Sequence, residues 1–262
     1  MRNIDILTHF EEAITKNGIT IFTLKEAERE AFFDKLPHPY RELYLTDEDL
    51  NWRISNFATS STEEILEKIP DNPSIMSGEF SEILCYYIIP EKYLPASHLR
   101  PPKWKWKESK NNPAHFTDVI LFCQNDDKSP SPDDCLVSIE SKARATKPNG
   151  TESSLQKAID DAYKDYVSRL SESLFHIKTR YKDDRNAQAV NQLERFMDVV
   201  KYPSFLKHFK AIATVDGAFA DDHLKHVTAI PEDIKDTFEV ILIRIEDLKG
   251  GYELTYNQIP NT

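Results

Sequence analysis

The sequence predicts an α/β protein in which a mixed sheet is flanked by helices, with an α-rich extension at the N-terminus. Short windows of β-branched and apolar residues recur through the chain and predict strands. Between them, apolar residues at three- and four-residue spacing predict amphipathic helices. With 262 residues, of which 40% are hydrophobic, the chain is large enough for one sizeable domain with an extension.

We expect residues 1–70 to form the extension and residues 71–262 the main domain. Helical patterns cover residues 8–14 and 62–69, and Ser60, Ser61 or Thr62 can cap the second helix. The extension has no chemical motif, so a contact with a partner protein is its expected role.

The next predicted helix covers residues 77–89 and ends at Pro90, since proline stops helices. Its apolar residues follow helical spacing and predict one broad buried face. Glu79 and Glu82 lie outside that face as i, i+3 neighbours. Either acid is a candidate site residue and metal ligand, or an ordinary solvated helix residue; Glu82 is favoured for the site.

A basic and aromatic stretch precedes the central strands. Lys103, Lys105 and Lys107 alternate with Trp104 and Trp106, a pattern that can bind phosphates and stack bases. A strand with a lysine-rich edge and two buried tryptophans explains it equally well. The formal charge of −11 argues against bulk electrostatic coating of nucleic acid, so a nucleic-acid contact is expected to be a local cleft.

Two predicted strands, over residues 116–122 and 136–140, carry the central candidate site. Asp118 lies in the first and Glu140 in the second, in apolar windows where an unpaired charge is costly. Alternate strand residues share a face, so Glu140 and Lys142 project together while Ser141 points the other way. The alternative is an acid and lysine pairing on a solvated edge strand.

Two carboxylates and a lysine suit phosphodiester hydrolysis. Asp118 and Glu140 can hold Mg²⁺, or Mn²⁺ in its place, which polarises the scissile phosphate and lowers the pKa of bound water. The backbone carbonyl of Ser141 can add a ligand whatever its side chain. Lys142 can orient the water or stabilise the transition state, and nearby acids keep it protonated for the second role.

Basic character continues after this triplet at Arg144 and Lys147, which are further candidate phosphate contacts. Helices are then predicted over residues 153–181 and 187–200, and strands over residues 209–215 and 238–245.

His223 and His226 lie in the loop between the last two strands. Their H-x-x-H spacing lacks a third matched ligand, so we expect surface histidines rather than a metal site.

Several function classes have little support in the sequence. It contains no phosphate-binding loop, no G-x-G-x-x-G and no G-x-S-x-G, which disfavours nucleotide hydrolysis and serine hydrolase chemistry. Its three cysteines form no C-x-x-C, which disfavours zinc and fits a reducing compartment. No apolar run or signal peptide indicates a membrane, so a cytoplasmic protein is expected.

The spacing D-x(21)-E-x-K from Asp118 to Lys142 resembles the PD-(D/E)xK nucleases, which have a restriction-endonuclease-like fold. In these nucleases the helix before the catalytic sheet often has a glutamate near the metal, and Gly78-x-x-x-Glu82 resembles that motif. The Q-x-x-x-Y motif of RecB-like relatives is absent, because Asp160 lies four residues after Gln156.

More specifically, residues 78–84, 115–122 and 138–143 resemble the nuclease subunit of Hachiman anti-phage defence systems. The resemblance implies a metal-dependent DNase effector whose companion superfamily 2 helicase senses invading or damaged DNA. Two alternatives remain open: a stand-alone restriction-type or repair nuclease, and an inactive nuclease-like DNA-binding module. Retention of the two acids and the lysine argues against the inactive module.

Overall fold

The computed structural model describes residues 4–94, 98–113, 117–126, 128–198, 200–202, 204–228 and 230–262. Strands in these ranges are β1 (Phe10–Ile14), β2 (Thr20–Leu24), β3 (His98–Leu99), β4 (Val119–Cys123), β5 (Cys135–Arg144), β6 (Leu206–Asp216) and β7 (Phe238–Ile245). They form one sheet in the order β1, β2, β7, β6, β5, β4, β3. The predicted α/β class, a mixed sheet flanked by helices, is confirmed.

The same ranges contain α1 (Arg29–Lys35), α2 (Pro37–Tyr44), α3 (Asp47–Asn56), α4 (Ser61–Leu66), α5 (Pro73–Tyr93), α6 (Ser154–Lys164), α7 (Leu170–Asp183), α8 (Ala187–Glu194), α9 (Ala220–Lys225) and α10 (Leu248–Gln258). In the described part of the chain, no helix combines the length and hydrophobicity needed to span a bilayer.

The four central strands β2, β7, β6 and β5 are parallel to one another, while β1, β4 and β3 pair in the antiparallel direction. Parallel strands need both faces covered, which explains why β5 and β6 are apolar on both sides. Helix α5 and the N-terminal helices cover the face with Val137 and Ile139. Helices α6, α7 and α8 cover the opposite face, with Leu136 and Ala211.

Helix α5 is longer than predicted, because it continues through Pro90 to Tyr93. Proline removes one backbone donor, but only one turn follows it, and the N–H of Leu94 still donates to the carbonyl of Pro90. The helix is buried nearly all round, since the sheet contacts one side and the N-terminal helices the other.

The first segment differs from its prediction, because residues 10–14 form strand β1 and not part of a helix. Gly18, with a φ of 79°, provides the left-handed turn that folds β1 back on β2. Strand β2 then pairs with β7, and this pairing outweighs a short helical pattern. Residues 1–70 therefore contribute two strands to the main sheet before α1–α4, and α4 begins at the predicted cap Ser60.

The long helix predicted over residues 153–181 is interrupted by a π-helical turn, Asp165–Arg169, between α6 and α7. π-helical turns are rare in proteins, but those that occur often lie at functional sites.

Candidate active site

The candidate site lies where two strands separate. The β4–β5 ladder ends at the pair Val119 and Ile139, and β5 then continues beside β6 alone. At this point the Asp118 carboxylate accepts a hydrogen bond from the backbone N–H of Ser141, at 2.8 Å. Asp118 therefore satisfies the backbone donor that β4 no longer reaches, and this fixes its position beside Glu140.

Glu140 and Lys142 share the face of β5 that packs against α6, as predicted. Lys142 Nζ lies 3.3 Å from Glu140 Oε2 and 3.0 Å from Asp161 Oδ2. Ser141 points to the opposite face, where its hydroxyl lies 2.6 Å from that of Ser81 on α5. Burial alone would lower the pKa of Lys142, but the Asp118 and Glu140 carboxylates outweigh it and raise that pKa.

The π-helical turn supplies a second group of charges around Glu140. Arg169 Nη2 lies 3.3 Å from Glu140 Oε1, and Arg169 Nε lies 2.9 Å from Asp165 Oδ1. The buried Asp165 carboxylate also accepts a hydrogen bond from Ser138, at 3.1 Å. Burial, with the nearby Asp118 and Asp165 carboxylates, raises the pKa of Glu140 to about 9. Arg169 therefore connects Glu140 to Asp165, which is itself held by the hydrogen bond from Ser138.

Sequence reasoning missed Asp161, Asp165 and Arg169. Their spacing of four residues places them on one side of the predicted helix, and that was the available signal.

Glu82, and not Glu79, lies beside Asp118. Lys103 Nζ is 2.9 Å from Glu82 Oε2 and 3.8 Å from Asp118 Oδ1, so its ammonium group connects the two carboxylates. Burial raises the pKa of Glu82 to about 7, although Lys103 opposes the shift.

Glu79 belongs to a separate buried group. One of its oxygens pairs with Lys107 and the other accepts a hydrogen bond from the Tyr44 hydroxyl, at 2.7 Å. Burial raises the pKa of Glu79. Because both oxygens are engaged within the protein, the geometry favours Glu82 for the site and Glu79 for packing.

The basic stretch faces inward, and it forms a 3₁₀ turn, Lys103–Trp106, where the alternative was a strand. Trp104 is buried against Tyr86. The side chain of Lys107 is only 4% exposed, and Lys105 Nζ lies 3.3 Å from Asp184 Oδ2. Lys103 and Lys107 are thus largely buried counter-ions of Glu82 and Glu79, whereas Lys105, with 31% of its side chain exposed, pairs with Asp184 near the surface.

Arg144 and Lys147 remain closer to solvent, half-buried and exposed respectively. Arg144 Nη2 donates to the backbone carbonyl of Lys147, at 3.4 Å, so the two residues lie together at the C-terminal end of β5. Of the predicted phosphate contacts, this pair keeps an accessible position. Gln156 lies elsewhere, with its side-chain carbonyl accepting from Thr228, at 2.9 Å. The predicted strand residues His115 and Phe116 fall outside the described residues.

The donors at the strand divergence are of the type that a hard divalent cation prefers, but in this structure the ligand oxygens of the three carboxylates are not all within 4.8 Å of one another. Asp118, Glu140 and Glu82 offer carboxylate oxygens, and the backbone carbonyl of Ser141 is adjacent; Mg²⁺ and Mn²⁺ prefer such oxygens. The Lys103 ammonium already acts as a cation between two of these carboxylates.

Among the described residues, His223 and His226 belong to no close group of metal-binding side chains. The prediction that both are surface histidines is wrong for His223, which is buried. Its Nδ1 accepts a hydrogen bond from the Ser154 N–H, at 3.1 Å, at the start of α6. Among the described residues, the one close group of metal-binding side chains is His38, Glu42 and Asp47. There Arg41 pairs with both acids and supplies their counter-charge.

The fold and the site define a mixed α/β protein with a cluster of carboxylates and lysines where two central strands separate. A comparison with protein-family models gives a match over residues 2–259, and the chain belongs to the HamA family. It is therefore a protein of Hachiman anti-phage defence. The comparison with curated proteins found no match.

His223 predicts a pH-dependent stability. Burial, with the charge of Arg144, lowers its pKa, so the unfolded chain takes up this proton first as the pH falls. The stabilisation is complete above the unfolded pKa of ~6.5 and is lost below it. In His223→Asn, whose Oδ1 can still accept from Ser154, we expect the fall in Tm between pH 7.5 and 5.5 to be smaller by about 2–4 °C. His226→Asn is the control, and equal falls in Tm for both variants would contradict this assignment.

We expect a metal ion bound at Asp118 and Glu140 to have a second effect on stability. Asp118→Asn removes a negative charge, and Glu140→Gln removes a carboxyl group whose ionisation its neighbours oppose, so we expect Tm in EDTA to hold or rise. Mg²⁺ should raise the Tm of the unaltered chain, because it binds the folded state alone, and should leave both variants unchanged. The exposed Glu152→Gln is the matched control in scanning calorimetry. A Mg²⁺ response in the site variants equal to that of the control would remove these residues from the metal site.

Proposed function

We propose that the chain is a metal-dependent DNase of the PD-(D/E)xK type and the nuclease effector of its Hachiman complex. The observation that supports this most strongly is the meeting of Asp118, Glu140 and Lys142 at the divergence of β4 and β5. Mg²⁺ is the proposed ion, and Mn²⁺ can replace it.

Asp118, Glu140, Glu82 and the Ser141 carbonyl would hold the metal, which supplies a polarised phosphate and an activated water when bound. The Ser141 N–H keeps Asp118 aligned with β5, and Arg169 holds Glu140. These contacts position the two acids before substrate arrives, which lowers the reorganisation that the reaction requires.

Lys142 supplies positive charge at the scissile phosphate in this proposal. The neighbouring carboxylates keep it protonated, and Asp161 holds its ammonium group from the α6 side. A protonated lysine stabilises the charge that develops on the phosphate oxygens and does not act as the general base.

The DNA backbone would approach from the end of β5. Arg144 and Lys147 lie there, two and five residues beyond Lys142, and Arg169 is also accessible, with 40% of its side chain exposed. These residues provide a short basic track on an acidic protein, which suits local contact with phosphates.

A superfamily 2 helicase is the proposed partner and regulator. The chain has no phosphate-binding loop of its own, so ATP use would belong to the partner. Within residues 1–70, Trp52 and Phe57 are 58% and 53% exposed and contact each other edge to face, at 5.3 Å between ring centroids. Exposed aromatic pairs of this kind are typical of protein contact surfaces, which supports a docking role for the N-terminal segment.

Cleavage assays with duplex and single-stranded DNA test the chemistry. We expect Asp118→Asn and Glu140→Gln to abolish Mg²⁺-dependent cleavage. Lys142→Met should retain metal binding by calorimetry while its rate falls by ~10²–10³-fold, because it removes an electrostatic contact made in the transition state. The exposed Lys157→Met is the control. Full activity in either acid variant would eliminate the proposed site, and loss of metal binding in Lys142→Met would make Lys142 a structural counter-ion.

Co-purification tests the partner. We expect the chain expressed with the proposed superfamily 2 helicase to form a stable complex whose DNA cleavage requires ATP. The double change Trp52→Ser and Phe57→Ser should weaken that complex, whereas Phe175→Ser, an equally exposed aromatic on α7, should not. If the chain purifies without a partner and cuts a defined sequence with Mg²⁺ alone, the restriction-type alternative is correct.

A further inference from the structure

A side chain of the protein itself occupies a cation position at the candidate site. The ammonium group of Lys103 lies 2.9 Å from Glu82 and 3.8 Å from Asp118, and only 13% of the side chain is exposed. These two carboxylates also belong to the proposed metal-binding set. An ammonium group and a divalent ion therefore compete for the same oxygen atoms, since each neutralises the same pair of negative charges.

Lys103 extends from a well-anchored segment, residues 100–107. Trp104 packs edge to face on Tyr86, with ring centroids 5.4 Å apart, and the Tyr86 hydroxyl donates to the carbonyl of Arg100, at 3.1 Å. At the other end Lys107 pairs with Glu79. The backbone is thus held by contacts that do not involve the Lys103 side chain, so that side chain can change position while the segment stays in place.

The ammonium group stays charged where it is. Burial alone would lower the pKa of Lys103, but Glu82 and Asp118 outweigh it and raise that pKa. Removing this charge would leave two carboxylates, 16% and 17% exposed, facing each other, which is costly. Lys103 can leave its position at low cost only when another cation replaces it and another anion accepts it.

We propose that Lys103 is a built-in competitor for the metal, and that a DNA phosphate at the site draws its ammonium group away. This inference rests on the proposed function and adds a rule for when the site fills. Without DNA, Lys103 holds Glu82 and Asp118 and divalent ions bind weakly. With DNA, a backbone phosphate pairs with Lys103 and the metal takes the freed carboxylates. Metal and DNA then bind cooperatively, each strengthening the other by the same factor.

Mn²⁺ titration calorimetry without DNA is the first test. Lys103→Met keeps the length of the side chain and removes its charge, so we expect Mn²⁺ to bind about tenfold more tightly than to the unaltered chain, within the usual range for coupled sites. Lys105→Met, which removes the neighbouring lysine paired with Asp184, should leave the affinity unchanged. In EDTA, Lys103→Met should also have a lower Tm, and Mn²⁺ should raise that Tm more than in the unaltered chain.

The second test measures the coupling. In the Lys142→Met background, which slows cleavage, a short DNA duplex should tighten Mn²⁺ binding when Lys103 is present. The effect should largely disappear when Lys103→Met is added. Lys103→Gln, which keeps a polar end group, is the second variant in both tests, so that a loss of folding in Lys103→Met leaves the comparison intact.

The outcomes separate this inference from the proposed function. Equal or weaker Mn²⁺ affinity in folded Lys103→Met and Lys103→Gln would overturn the competition while leaving the metal site standing. An equal effect of DNA with and without Lys103 would overturn the role of the phosphate. If neither the unaltered chain nor any Lys103 variant binds Mn²⁺, both the inference and the proposed function fail.

Discussion

The hydrogen bond from the Ser141 backbone to the Asp118 carboxylate is the constraint on which the site depends. Strand β5 is buried where β4 leaves it, and a buried N–H without an acceptor costs about 1–3 kcal/mol. Asp118 removes that cost. Its carboxylate is therefore held by the hydrogen bonding of the sheet and not by a flexible loop. Glu140 is the residue before Ser141 in β5, so the sheet itself brings the two acids together. A change in the length of β4 would separate them.

Cationic side chains of the protein balance the negative charges at and around this position. Lys103 pairs with Glu82, Lys107 with Glu79, and Arg169 with Glu140, all at short range. Buried carboxylates without such partners would be protonated or destabilising. This arrangement also explains why lysines that precede β4 give the protein little basic surface. The sequence shows their number and spacing, but it does not show that each one faces an acid from another part of the chain.

Strands β4 to β7 and the side-chain directions of Glu140, Ser141 and Lys142 could be predicted from the sequence, because strand alternation is a local rule. Strand β7 was found with its observed bounds for the same reason. Strand β1 was missed because its stability comes from pairing with β2, and the sheet in turn continues through β7, more than two hundred residues away. The sequence favoured Glu82 over Glu79 but could not establish the choice, because it depends on Lys103 and Lys107, which reach α5 from a later segment.

The π-helical turn at Asp165–Arg169 is equivalent to one inserted residue in an α-helix, and each residue of an α-helix accounts for about 100° of rotation. Helices α6 and α7 are therefore two halves of one continuous helix, and the second half is rotated about its axis relative to the first. Helix α6 packs Ala158 and Ile159 toward β6, and α7 packs Leu174 and Ile177 toward β4 and β5. Deletion of one residue in this turn would leave both halves helical. It would rotate the apolar side of α7 away from the sheet and would move Arg169 away from Glu140. The inserted residue thus allows one continuous helix to cover a sheet in which β4 and β5 diverge.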